Sequence, residues 1–431
     1  MKHALFRPAL AILALCSAAV AVAQQLTFTP LNPSGIYAPG EKAGWAISLA
    51  TGATVPAGGF KYVLKQNGLD VLKSGELDLV GGQATIATTL NEPAMLFLEV
   101  LPADPKGKRN LTGAAIAPTK LQPVVPCPAD FDAFWAAKIK LLKSIPAEPV
   151  LTPGESGKAG VEYATIKMKN LGGAHVYGQL AKPAREGKFP AMLMMQWAGG
   201  PYPLEKAWIT EHAAKGWLVL NVEAHDVPGD MPKEFYAALP ALIKNYTAIY
   251  NDDRERNYFL QMILGDYRAL DYLASRPDWD GRTLLVMGTS MGGQQSLSVA
   301  GLHPQVTHLI VNVPAGADSN AALHGRAAGY PNWDLAKPNV KETALYFDTV
   351  NFAARIKATC LVALGFVDET CPPAGIWTAF NQIQGPKEAA PMIDSPHNHL
   401  ATPAQLQPYT TRSAAWLSAL VSGAPAPLPA P

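Results

Sequence analysis

Thr283-Leu284-Leu285-Val286-Met287-Gly288-Thr289-Ser290-Met291-Gly292-Gly293-Gln294-Gln295-Ser296 is the stretch on which the reading of this chain turns. Its first half is a short apolar run and its second half is small and polar, so a strand should pass into a helix across Gly288 to Gly292, a G-x-S-x-G. A strand that turns into a helix within one residue forces Ser290 into a strained conformation and lifts its Oγ over the sheet edge. The flanking backbones then come so close that side chains at 288 and 292 would collide, and glycine carries none. The amide of Met291 would point at the same spot from a helix N-terminus, where the positive end of the helix dipole favours an oxyanion. A plain glycine-rich turn produces the same five letters by chance; the strand before it and Gly293 after it favour the catalytic reading.

The 431 residues exceed one compact core and predict two domains, and 48% hydrophobic content is enough to fill them. Lys and Arg total 35 against 34 Asp and Glu, so no strong field favours a nucleic acid or an anionic membrane surface. A neutral partner fits better. Met1 to Ala23 joins Lys2 and Arg7 to the apolar run Ala9 to Ala14 and ends in Ala21-Val22-Ala23, which reads as a secretory signal peptide over 1–23. Leu15 before Cys16 is too large for a lipoprotein cleavage site, so no lipid anchor is expected. Cys127, Cys360 and Cys371 then remain, an odd number that leaves at least one free thiol.

From Gln24 to Pro118 short alternating runs such as Trp45 to Leu49, Phe60 to Leu64, Ala84 to Thr88 and Met95 to Val100 are separated by Gln66-Asn67-Gly68 and Gly81-Gly82, which predicts a small β-sandwich over 24–118. It carries no acid, base or nucleophile constellation; packing or spacing is its expected role, with carbohydrate binding as the alternative. Residues 119–145 read as a proline-rich linker and a helix through Phe131, Phe134, Trp135, Ile139 and Leu142, with Asp130 as its cap. Beyond this, strands and helices alternate over 146–423. That pattern predicts an α/β class domain with a mostly parallel sheet covered by helices on both faces, whose ligands bind at the carboxyl ends of the strands. Residues 424–431 form a Pro/Ala tail, expected to be disordered.

A serine hydroxyl needs a base, and the base needs an orienting acid. In the α/β-hydrolase order these follow the nucleophile as acid and then histidine. The strand Cys360 to Gly365 runs into Asp368, and the last strand runs into Asp394-Ser395-Pro396-His397-Asn398-His399. Asp368 is preferred over Glu369, which should point the other way, and over Asp348. His397 and His399 both sit on the final loop, and pattern alone leaves the base open between them. A His-x-His pair also suits a metal, but no acidic or Cys companion stands at ligand spacing, so no metal is expected. His225 precedes the nucleophile and fits the order badly. The second oxyanion amide is expected from Gln196-Trp197-Ala198-Gly199-Gly200, at Ala198 with Trp197 as runner-up.

Taken together these residues resemble the acetylxylan esterases and cephalosporin deacetylases, carbohydrate esterases of the α/β-hydrolase fold. The resemblance spans Pro126 to Val421 and leaves out the β-domain. It is carried by Pro128 to Trp135, by Thr343 to Ala353 with Ile356-Lys357, and most specifically by Gly365-Phe366-Val367-Asp368-Glu369-Thr370-Cys371-Pro372-Pro373 continuing through Phe380-Asn381. In that family the base follows an Asn and precedes a Glu, so the resemblance implies His399, after Asn398. The family's Arg-Gly-Gln after its fourth strand is replaced by Glu223-Ala224-His225-Asp226, and Met291 and Leu400 stand where it has Gln and Glu.

The resulting expectation is a secreted or periplasmic serine esterase that removes acetyl or other short acyl groups from sugar hydroxyls of plant polysaccharide, with Ser290, Asp368 and His399 as triad and no cofactor. Trp197, Tyr202, Tyr330 and Trp333 would line the mouth and stack on sugar rings, and Gly316 to Asn339 is long enough for a lid. The alternatives are a hydrolase for feruloyl or methyl esters or peptide bonds, and a carbohydrate-binding protein without catalysis. Oligomeric state is not readable.

Overall fold

The computed structural model describes residues 26–104 and 106–429; the expected signal peptide lies outside them. Among the described residues eight strands precede the first long helix: β1 Leu26–Pro30, β2 Ile36–Tyr37, β3 Lys42–Leu49, β4 Phe60–Gln66, β5 Asp70–Leu77, β6 Gln83–Thr89, β7 Ala94–Pro102 and β8 Asn110–Ile116. They form a three-stranded sheet in the order β1-β3-β6 and a five-stranded sheet in the order β2-β8-β7-β4-β5. Trp45 and Ile47 from the first and Leu64, Leu96, Leu98 and Ile116 from the second bury into one core, which makes the pair a sandwich. The β4–β5 hairpin turns through Asn67, Gly68 and Leu69, with Asn67 (φ 51°) and Gly68 (φ 76°) in the left-handed region.

The second sheet comprises β9 Val150–Gly154, β10 Val161–Lys169, β11 His175–Pro183, β12 Phe189–Met195, β13 Leu218–Val222, β14 Trp279–Thr289, β15 His308–Asn312, β16 Thr359–Gly365 and β17 Lys387–Met392. Its order is β17-β16-β15-β14-β12-β13-β11-β10-β9. The pairs from β13 to β17 are parallel, and β9, β10 and β11 add antiparallel strands at one side. The helices Phe131–Lys143, Tyr258–Ser275, Met291–Leu302 and Pro373–Gln382 bury one face of this sheet. Lys206–Ala214 and Gln407–Val421 bury the other. This is the α/β-hydrolase fold with an added N-terminal sheet region. The chain reverses direction of travel across the sheet between β12 and β14, so the carboxyl ends of these two strands open the crevice in which such folds hold ligands.

The structure adds one edge strand and corrects two local expectations. The edge strand β9 has all five residues exposed and a proline within it, so it shows no alternation to find. Asp130 stands before the first long helix but does not cap it; its carboxylate is taken by Tyr346 and by Arg254 at 2.8 Å. Residues 424–429 lie back on the last helix, where Ala424 N–H donates to Ala419 O at 3.0 Å and Arg412 holds Pro427 O. No helix among the described residues is long and apolar enough to cross a membrane.

Candidate active site

Ser290 sits between β14 and the helix Met291–Leu302 with φ 58° and ψ −121°, a strained backbone for a residue with a side chain. Its N–H donates to Asn312 O at 3.0 Å and its carbonyl accepts Ala315 N–H at 3.0 Å, so β15 and the loop that follows it hold the turn on both sides. The glycines are explained by close approach. A Cβ on Gly288 would stand 2.4 Å from the carbonyl carbon of Gly292, and one on Gly292 would stand 2.8 Å from Met195 O and 2.9 Å from Gln196 O. The helix start therefore touches the end of β12 backbone to backbone. Met291 is its first residue, so its N–H has no acceptor within the helix, and the segment Trp197–Ala198 follows directly from β12.

A buried amide ladder fixes that segment. Gln295 donates to Gln196 O at 3.1 Å, Gln196 to Asn221 Oδ1 at 2.7 Å, and Asn221 to Met194 O at 2.9 Å. His225 adds a prop, with Nδ1 at 2.9 Å from Tyr258 Oη and Nε2 at 3.2 Å from Gly199 O. Burial pushes its pKa down to about 4, so it acts there as a neutral ring.

Asp368 and the histidine loop arrive from the other side. Asp368 Oδ1 accepts the N–H groups of Thr370 and Cys371, each at 2.8 Å. Its Oδ2 lies 2.7 Å from His397 Nδ1, and His397 Nε2 lies 2.9 Å from Ser290 Oγ. Serine, imidazole and carboxylate thus form one hydrogen-bonded chain. The histidine in it is His397, and the expectation of His399 is corrected. β17 ends at Met392, and the loop turns inward at Ser395, which is fully buried and whose carbonyl accepts Val367 N–H at 3.3 Å. This brings position 397 against Asp368. His399, two residues on in the turn Asn398–Leu400, faces solvent with its ring 5.5 Å from that of His397. Asn398 is drawn down by Asn312, which donates to its Oδ1 at 2.7 Å. Glu369 points away to Arg109, as its neighbour's inward turn requires. Asp348 begins the helix Thr349–Ala353 and accepts Val350 N–H at 2.9 Å, which takes it out of contention as the acid.

The chain opens into a cavity of about 400 Å³ lined by Trp197, Ala198, Thr289, Ser290, Tyr330, Thr370, His397, Asn398 and His399. Of the four aromatics expected at its mouth, Trp197 and Tyr330 are there. Tyr202 stands behind Trp197, rings stacked at 6.0 Å, its hydroxyl donating to Trp197 O. Trp333 is turned inward instead, its indole N–H donating to Thr247 O at 2.7 Å and its ring 5.7 Å from Phe259. Tyr330 meets Tyr246 hydroxyl to hydroxyl over Met291 Sδ. The Gly316 to Asn339 insert is pinned rather than loose. Arg326 binds Asp318 and Gln122 O, both at 2.8 Å, and Tyr330 N–H donates to Thr370 O at 2.9 Å.

Among the described residues Asp368, Cys371 and His397 are the one group whose potential metal-binding atoms converge, within 4.8 Å. Asp368 and His397 already satisfy each other, and burial raises the Cys371 thiol well above its ordinary range, keeping it protonated. The arrangement suits a proton relay better than an ion. Among the described residues Cys127, Cys360 and Cys371 are free thiols.

A model of the acetyl xylan esterase family matches residues 119–418. The chain belongs to the acetyl xylan esterase family. It is 31% identical over 369 residues to the acetyl esterase Axe7A of Xylanibacter ruminicola, a match that covers 84% of each chain. That coverage necessarily extends into the residues before 119. Acetyl xylan esterases from a Paenibacillus species and a Thermoanaerobacterium species share the fold, with TM-scores of 0.57 and 0.54, each at 22% identity over 68% of this chain and 96% or 98% of theirs. The protein is an esterase of the acetyl xylan esterase family, built on the α/β-hydrolase sheet.

Proposed function

We propose that the protein is an exported serine esterase that removes acetyl groups from the sugar hydroxyls of plant polysaccharide or oligosaccharide. The hydrogen-bonded chain Asp368–His397–Ser290 at the floor of the 400 Å³ cavity carries this reading. Ser290 Oγ attacks the acetyl carbonyl as its proton passes to His397 Nε2. The tetrahedral oxyanion is held by the amides of Met291 and Ala198, the Trp197 amide being the alternative donor. The imidazolium returns the proton to the departing sugar oxygen, which leaves an acetyl-serine. Water, deprotonated by the same imidazole, then releases acetate. Asp368 holds the ring in the tautomer with its proton on Nδ1 and stabilises the cation formed in each half-reaction. Every group these steps require is a side chain or amide of the chain itself.

The half-exposed Trp197 ring at the cavity edge, backed by Tyr202 and by Trp208 at 4.6 Å, supports a sugar-stacking role at the leaving-group side. The test is acetate release from acetylated xylo-oligosaccharides, followed by mass spectrometry, for wild type and Ser290→Ala. Loss of about 10⁶-fold in kcat is expected for the variant. Equal rates for the two proteins, or p-nitrophenyl ester activity that rises with acyl length, would refute the reading.

A further inference from the structure

The N-terminal sandwich reaches the catalytic domain at the two loops that carry Asp368 and His397. Strand β8 lies against both. Gly113 donates its N–H to Ile393 O at 3.0 Å, and a Cβ at Gly113 would stand 2.6 Å from Phe366 Cβ and 2.8 Å from Phe366 O. Phe366 is two residues before the acid, Ile393 four before the base. Only a residue without a side chain admits so close an approach. The two loops are also tied to each other, Phe366 N–H donating to Met392 O at 3.0 Å. A strand wedged at this junction therefore acts on both at once.

Beside it, Arg109 spans the seam. Its guanidinium binds Glu99 of β7 at 3.0 Å and closes on Glu369, the residue next to Asp368. Glu99 is nearly buried and takes a second cation, Lys65, at 3.7 Å, so the arginine is anchored on the sandwich side before it reaches the loop. Packing does not do this work, because a cavity of about 180 Å³ lies along the seam between Phe97 and Asn67 on one side and Phe366, Asp368 and Pro372 on the other. Further along, Asn67 O accepts Ala327 N–H at 2.9 Å, three residues before Tyr330.

We infer that the sandwich is a working part of the active site: Arg109 and Gly113 are positioning residues that set the Asp368 loop against His397. The inference rests on the triad proposed above. Its expected signature is catalytic. A looser Asp368 orients the imidazole less well and stabilises less the cation formed in the transition state, so kcat falls while KM holds.

The experiment uses the full chain with p-nitrophenyl acetate and acetylated xylo-oligosaccharide. Gly113→Val should lower kcat about a hundredfold, the scale of a misplacement near 1 Å. Arg109→Ala should lower it about two- to fivefold, since its pair with Glu369 is solvent-screened, and Arg109→Lys should recover part of the loss. If Gly113→Val does not fold, the arginine pair decides alone. Unchanged kcat in folded variants would overturn the inference, as would a rise in KM at constant kcat, which would assign the sandwich to substrate binding. Wild-type activity and its loss in Ser290→Ala are unaffected by either outcome, so the triad reading stands or falls separately.

Discussion

The turn after β14 and the loop after β17 deliver two members of one hydrogen-bonded chain, and they are shaped by opposite means. At the turn, the residues dictate the backbone themselves: Gly288 and Gly292 meet with room for no side chain, and Ser290 has no other way to join a strand to a helix. At the loop, little is decided locally. Its course depends on Ser395 receiving Val367, on Asn398 being held by Asn312, and on Ile393 being held by Gly113. A motif is therefore a strong guide where conformation is local. It is a weak one where partners far away in the chain choose which side chain turns inward.

The sharpest way to break this comparison is the histidine pair. His397→Ala should cost about 10⁴- to 10⁶-fold in kcat toward p-nitrophenyl acetate, because the acyl-transfer proton loses its acceptor. His399→Ala, at a solvent-facing ring on the cavity wall, should cost less than about tenfold and act mainly on KM, since a rim contact is worth about 1 kcal/mol. The reverse order of effects, measured at saturating substrate, would mean that the loop rearranges by two residues on binding.

The aromatic residues offer a second, smaller contrast. Trp333→Ala should lower stability by about 3–5 kcal/mol in denaturant unfolding, since it empties a site packed on Phe259 and Phe347. Trp197→Ala should leave the unfolding midpoint within about 0.5 kcal/mol, as usual for an exposed position. It should raise KM for acetylated oligosaccharide about tenfold, with p-nitrophenyl acetate little affected, the scale of one ring-stacking contact. A matching KM change on both substrates would assign Trp197 to the acyl side of the site.

These contrasts also mark what the sequence made legible. The sheet, its helices, the sandwich and the nucleophile turn follow from hydrophobic period and glycine placement, which are properties of short segments. Asp368 was readable because a strand end and an acid coincide there. His397 was not, because two histidines two residues apart share every local property, and the resemblance to known esterases favoured the one after Asn398. The ladder Gln295–Gln196–Asn221 was invisible for a related reason: three buried amides from three elements have no common spacing. Trp333 and Tyr202 look like sugar platforms in sequence, and only their packing shows that one leans on the core and the other is a backing layer. The sandwich carries no catalytic motif, so its contacts with both loops could not be read at all.

A last contrast concerns a carboxylate past β13 that differs from Asp368 in its hydrogen bonding. Asp368 has each oxygen occupied, whereas neither oxygen of Glu223, just past β13, has a hydrogen-bond partner among the described residues. Burial pushes the Glu223 carboxyl well above its ordinary value of 4.5, and the nearby amides of His225 and Ala224 only partly oppose this. The folded protein thus keeps a proton that the unfolded chain has released. The stability this gives is complete below pH 4.5 and is lost as pH rises toward the folded-state value. Glu223→Gln has the same shape and cannot ionise, so it escapes that loss. Its unfolding midpoint should match wild type at low pH and exceed it increasingly above pH 4.5, by an amount worth about 1–3 kcal/mol, the range for a buried group left without a partner. A gap that stays constant with pH would show that Glu223 is ionised and paired in the folded protein. The rim beside β13 would then have to be as fully satisfied as the acid loop, with Glu223 as a fixed charge behind the oxyanion segment.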